Sequence, residues 1–221
     1  MDKHSPQYTH KQEIWNTITH IVGVAFSFVV FGMLLGFEIR FNVPFIKMYP
    51  LYIYVTTMFV VFLVSSIYHS RPLNTKIREL CRVIDHSDIY LFVAGTYTPI
   101  CLLAISNTDI STGVLIAEYV LALAGILVTI FGGLKYKSME IIAYIIYLVD
   151  GWMLMFVYPF NQCLEFNIFI FILVGGIIYT VGAILYGIGK KRIWFHTLFH
   201  VFIVVAAVLQ FIGIWNIVLS L

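Results

Sequence analysis

The side chains best suited to chemistry are few, and their spacing groups them. His196 and His200 stand at i and i+4, so on a helix both imidazoles face one way. Ser65 and His69 repeat that spacing. Each such step rises about 6 Å along a helix axis. In antiparallel neighbouring helices, Ser65 and His200 form the deeper pair and His69 and His196 the shallower one. Three imidazoles can then converge on one point. Three neutral imidazoles with one open position are the ligand set of a catalytic zinc, and nitrogen donors disfavour magnesium or calcium. An HxxxH at the start of a helix is by itself more often an interfacial or packing pair than a metal site. Further weight comes from His20, Asp85 and Asp88, which fall in the same depth band once the helices are laid out.

The elements that must hold these residues are transmembrane helices. Hydrophobic residues make up 61% of the 221 and charged residues only 11%, against about 25% charged in an ordinary soluble domain. That excludes a disordered chain and a conventional soluble enzyme. A net charge of +2 argues against a nucleic-acid partner. Crossing the hydrocarbon takes about 20 apolar residues. Seven runs qualify: Asn16–Phe37, Met48–His69, Val83–Ile105, Gly113–Phe131, Ser138–Pro159, Glu165–Ile188 and Phe195–Val218. The expected fold class is therefore all-α, a seven-transmembrane helix bundle. Residues 1–15 form a polar tail, and 16–221 form one transmembrane domain.

Charge sets the expected orientation. Of the 13 Lys and Arg residues, all but Arg40 and Lys47 fall on one side of a seven-span chain. The positive-inside rule then places the N-terminus in the cytoplasm and the C-terminus outside. It also puts His20, His69, Asp85, Asp88, His196 and His200 at the cytoplasmic ends of their helices. Ionisable residues in such positions usually mark function. Glu118 reads as interfacial, near the outer end of its span. Gly175, Gly182 and Gly189 recur every seven residues and suit close helix packing. No Lys lies within a span, which excludes a retinal Schiff base. Cys81, Cys101 and Cys163 form no CxxC pair and suggest neither a disulfide framework nor a thiolate metal site. The polar stretch Met1 to Ile14 does not read as a cleavable signal peptide.

With these residues in view, the chain resembles the haemolysin III family of bacterial membrane proteins. That family belongs with the progestin and adipoQ receptors and, more distantly, the alkaline ceramidases. The matching stretches are Glu13-x-x-Asn16-x-x-Thr19-His20-x-x-Gly23, Ser65 to His69 (SxxxH), Asp85-His86-Ser87, Ala94 to Pro99, Gly151-Trp152, Gly175-Gly176 with Tyr179-Thr180, and His196 to His200. The resemblance implies a seven-helix bundle with Zn2+ near the cytoplasmic face, held by His69, His196 and His200. It implies that Asp85 holds or activates water at the metal and that Ser65 lies beside it. It also implies membrane lipids as partners, a lipid substrate, and a bacterial plasma membrane as the location. Two positions depart from the pattern. Asp150 stands before Gly-Trp where an apolar residue is expected, and Gln210 stands where His is expected. Asp150 and His20 are candidate accessory residues, and His86 reads as interfacial.

Three functions compete at this stage. One is a zinc-dependent hydrolase of lipid amides serving membrane-lipid homeostasis, with Asp85 and Ser65 as catalytic residues. The second is a receptor or sensor in which zinc merely staples helices. The third is a pore-forming cytolysin, which the absence of an amphipathic pore segment disfavours.

Overall fold

The computed structural model describes residues 8–105, 108–133, 135–157, 164–189 and 194–221. It contains seven long helices: α1 (His10–Phe41), α2 (Phe45–Ser70), α3 (Lys76–Pro99), α4 (Thr108–Val128), α5 (Lys137–Val157), α6 (Phe166–Gly189) and α7 (Phe195–Leu219). No strand occurs among the described residues. All seven helices are long and apolar enough to cross a membrane. That follows from the solvent: in hydrocarbon each backbone N–H and C=O must find its partner within the protein, and a helix supplies one locally. Each expected span falls on one helix, but α1 and α3 begin six and seven residues before the expected starts at Asn16 and Val83. Lys3, Lys190, Lys191, Arg192, Cys163 and Pro159 lie outside the described residues.

Local sequence sets the helix ends. Thr9 caps α1 in a capping box: its backbone N–H donates to Gln12 Oε1 at 2.7 Å, and the Gln12 N–H donates to Thr9 Oγ1 at 3.4 Å. Asn42 ends α1 in the left-handed region, with φ 51°, a conformation that asparagine tolerates. Pro99 has no N–H to give, and beyond it the chain widens into a π-helical turn over Ile100–Ala104. That turn closes with the Ile105 N–H on the Ile100 carbonyl at 3.1 Å. A second π turn, Thr129–Gly133, follows α4.

Helix α1 begins well before Asn16, the expected start of the first span. One face of the extra turn is buried and carries Gln12 and Glu13 inside, while His10, Lys11, Ile14 and Trp15 are exposed. The inner face of α1 then reads Glu13, Asn16, His20, Gly23, Ser27, Val30 and Leu34, all buried. Steps alternating between three and four residues keep one stripe facing the bundle. The stripe is polar at one end and apolar at the other. Helix α2 runs the opposite way and carries the reverse order: Met48, Leu51, Val55, Met58 and Phe62, then Ser65 and His69. The two polar ends therefore meet at one depth.

Successive helices pack side by side from α1 to α5. Helix α7 packs closely on α6 and returns to α1, whereas α5 touches α6 only sparsely. Close approach depends on two glycines, Gly23 near the polar end and Gly95 farther along α3. A Cβ on Gly23 would sit 2.5 Å from the Phe62 ring, and one on Gly95 would collide with the Thr57 hydroxyl. The α6–α7 contact uses Gly175 and Gly182, where added Cβ atoms would meet Gln210 Cγ at 2.5 Å and Phe202 Cβ at 3.3 Å. That bears out the small-residue face at these two positions.

Candidate metal centre

Helix α2 brings His69, and α7 brings His196 and His200, to a single point. One ring nitrogen from each lies within 4.8 Å of the others, and all three side chains are buried. The Nε2 atoms of His196 and His200 are 2.8 Å apart, as the i, i+4 spacing requires of two rings on one helix face. His20 of α1 joins them: its Nε2 abuts His200 Nδ1, with ring centroids 4.1 Å apart and nearly perpendicular.

The surrounding shell fixes which face of His69 is free. Glu13 Oε2 takes His69 Nδ1 at 2.6 Å. His69 Nε2 is left buried with no partner. An imidazole anchored to a carboxylate by one nitrogen, with the other bare in a closed space, is the usual arrangement of a metal-bound histidine. A buried polar atom without a partner is otherwise costly. The residues present therefore fit a metal ion held by His69, His196 and His200. All three donors are nitrogens, which suits zinc or another transition metal rather than magnesium or calcium.

Glu13 is held in turn. Its Oε1 pairs with Arg78 at the start of α3. The Arg78 guanidinium also donates to the carbonyls of Tyr68 at 3.1 Å and Arg71 at 2.9 Å, and lies 4.5 Å from the Tyr68 ring centre. It thus caps the carbonyl end of α2 and neutralises the Glu13 charge. Asn16 lies 3.5 Å from His69 Nδ1 through its Nδ2, and its Oδ1 accepts from Thr197 at 2.7 Å. Ahead of α1, Tyr8 stacks on His196 with centroids 4.5 Å apart, and burial raises its phenol above the ordinary range. Four helices therefore determine where three imidazoles point.

Asp85 of α3 stands beside the trio without belonging to it. Ser65 and Asp85 share the wall of one cavity, and His86 Nδ1 lies 3.5 Å from Asp85 Oδ2. His20, Ser65, Asp85, His86, His196 and His200 line one end of a cavity of about 160 Å³. Its walls are mostly apolar and run past Phe92, Val93, Tyr97 and Tyr179 to Gln210.

Two readings change, and Asp150 keeps the structural place inside the bundle. His86, expected at the interface, forms part of the cavity wall and meets the Tyr186 hydroxyl at 3.2 Å. Glu118, also expected at the interface, is fully buried and faces α5; hydrocarbon-depth burial is possible because an acid on the neighbouring helix meets it. Asp150 is buried but is not among the residues lining the cavity, whereas Gly151 beside it is. The supporting roles of Glu13, Arg78 and Tyr8 were missed. Glu13 stands three residues before Asn16 and seven before His20, a face pattern that pointed to it. Arg78 was counted only as a topology charge.

Fold and site together define a polytopic helical membrane protein with a three-histidine centre buried at one end of its bundle. Comparison with known proteins gives its family. The model of the Haemolysin-III related family matches residues 8–211. The chain is 34% identical over 197 residues to a hemolysin-3 homolog of Bacillus subtilis (strain 168), covering 89% of each chain. It is 30% identical over 202 residues to hemolysin-3 of Bacillus cereus, covering 91% of this chain and 89% of the relative. This chain belongs to the haemolysin III family.

Proposed function

We propose that this protein is an intramembrane zinc-dependent hydrolase of lipid amides, with its centre near the cytoplasmic face of a plasma membrane. The observation that carries the reading is that Asp85 and Ser65 line the same mostly apolar cavity as His196 and His200. The orientation rests on the distribution of Lys and Arg. His69, His196 and His200 would hold the ion, and Glu13 would keep His69 turned toward it. Bound zinc supplies a Lewis acid and makes water nucleophilic near neutral pH.

The remaining chemistry falls to the chain's own residues. The cavity's apolar walls admit an acyl chain, so that the amide carbonyl stops at the polar end. Asp85 orients the attacking water and accepts its proton as the new carbon–oxygen bond forms. Ser65 donates a hydrogen bond to the oxygen on which negative charge develops. Asp85 then returns the proton to the leaving nitrogen as the carbon–nitrogen bond breaks. The products are a fatty acid and an amine.

Metal content is the first test. Detergent-purified protein should carry about one zinc per chain, lost in His196→Ala and His200→Ala, and should hydrolyse a ceramide-type amide. Absence of zinc from folded protein after reconstitution would end the proposal. One observation favours a second reading, the non-enzymatic staple: His20 against His200 could complete a closed four-imidazole shell. A spectroscopic count of four nitrogen ligands with no water on a cobalt-substituted protein, together with no amide hydrolysis, would select the staple.

A further inference from the structure

Two acids lie deep in the bundle and take no part in the centre above. Glu118 is near the middle of α4, and Asp150 is in α5, beyond its middle. Both are completely buried, at 0% exposure. Their side chains face each other within hydrogen-bonding reach. Yet among the described residues none of the four carboxyl oxygens has a hydrogen-bond donor.

Two ionised carboxylates can only accept hydrogen bonds. At contact, in surroundings without water, they repel, and each forfeits its hydration. A positive charge must therefore lie between them. The groups facing the pair from neighbouring elements are Tyr90 and Tyr97 of α3, Cys101 of the following π turn, and Tyr147 of α5 itself. The Tyr97 hydroxyl donates to the Gly151 carbonyl at 3.1 Å, and that of Tyr90 donates to Ala143 at 2.9 Å. Among the described residues no Lys, Arg or His acts on either acid. A hard metal cation takes about six to eight oxygens, more than the four that stand unpartnered here. A proton needs only two.

We propose that Glu118 and Asp150 form an intramembrane proton-binding site, in which one carboxylic acid donates its O–H to the carboxylate of the other and so ties α4 to α5. One proton converts two unpartnered acceptors into a donor–acceptor pair. It also leaves the pair with one negative charge instead of two. Tyr90, Tyr97 and Tyr147 face this pair and also line the cavity, which gives the proton a polar edge toward that space. Loss of the proton at alkaline pH sets two anions side by side and loosens α4 from α5. The inference does not depend on the metal centre or on hydrolysis.

Infrared difference spectroscopy tests it, with the wild-type spectrum taken minus that of the Glu118→Gln/Asp150→Asn double variant. Buried Asp88 is common to both and cancels. The expected result is the carbonyl stretch of one protonated carboxylic acid per chain at neutral pH, vanishing reversibly as pH rises. In Glu118→Gln the new amide donates to the Asp150 carboxylate and favours its charged form, so the remaining acid band should vanish at a pH lower by about one unit or more. No acid band at any pH, two acid bands per chain, or loss of the band on adding sodium or calcium at constant pH would each overturn the proposal. Should the double variant fail to fold, dicyclohexylcarbodiimide labelling of the wild type replaces it, because that reagent attacks protonated carboxyls in apolar surroundings. Peptide mass mapping should then find the adduct on Glu118 or Asp150, and its absence from both would overturn the site.

Discussion

The two buried ionisable clusters of this bundle solve the same problem differently. At the polar end, imidazoles from α1, α2 and α7 are surrounded by partners: Glu13 behind His69, Arg78 behind Glu13, and Thr197 on Asn16. Polarity there is graded outward from the three rings until a guanidinium reaches the helix carbonyls. Between α4 and α5, Glu118 and Asp150 have only each other. The first cluster faces a cavity and the second does not. Three converging imidazoles are held by a shell of partners from four helices, whereas the contact between α4 and α5 consists of two side chains.

Removing a ring nitrogen should break the comparison most sharply. His200→Ala is expected to lose essentially all bound zinc, read by metal analysis of purified protein, while the α4–α5 acid band persists. Asp85→Asn should keep the zinc but lose about 10²–10⁴-fold in turnover of a lipid amide; unchanged turnover would remove Asp85 from the chemistry. Glu13→Gln tests whether the supporting shell matters. It should weaken zinc binding about 10–100-fold in chelator competition, and an unchanged affinity would reduce Glu13 to a helix contact. Gly23→Ala drives a methyl into the Phe62 ring and should cost about 1–3 kcal/mol in a detergent unfolding assay. The smallest effect belongs to Glu118→Gln, which should leave zinc stoichiometry and turnover at wild-type values. A loss of either would show that the two clusters are coupled.

Much of the polar end was legible beforehand because helical periodicity is local. The i, i+4 spacing of His196 and His200, the same step from Ser65 to His69, and the antiparallel order of spans placed those residues at one depth without any knowledge of packing. Asp85 entered by the same reasoning, and the family resemblance supplied the expected ligand set. Glu13 was harder to read. It lay in a stretch taken for a polar tail, and composition there does not reveal that α1 begins at His10. Glu118 was misplaced because distance from a span's end says nothing about what stands opposite.

The sequence alone determined that there are seven apolar helices and that the ionisable residues of the polar end share one depth. Those properties follow from hydrocarbon thickness and from the rise of a helix, and both act residue by residue. Tertiary structure decided the partners. Whether His69 would meet Glu13, whether His86 would turn into the cavity, and whether Asp150 would find Glu118 all depended on the rotation of each helix about its axis. That rotation is set by side-chain packing between helices distant in sequence, such as Gly23 against Phe62 and Gly175 against Gln210. No single span contains that information.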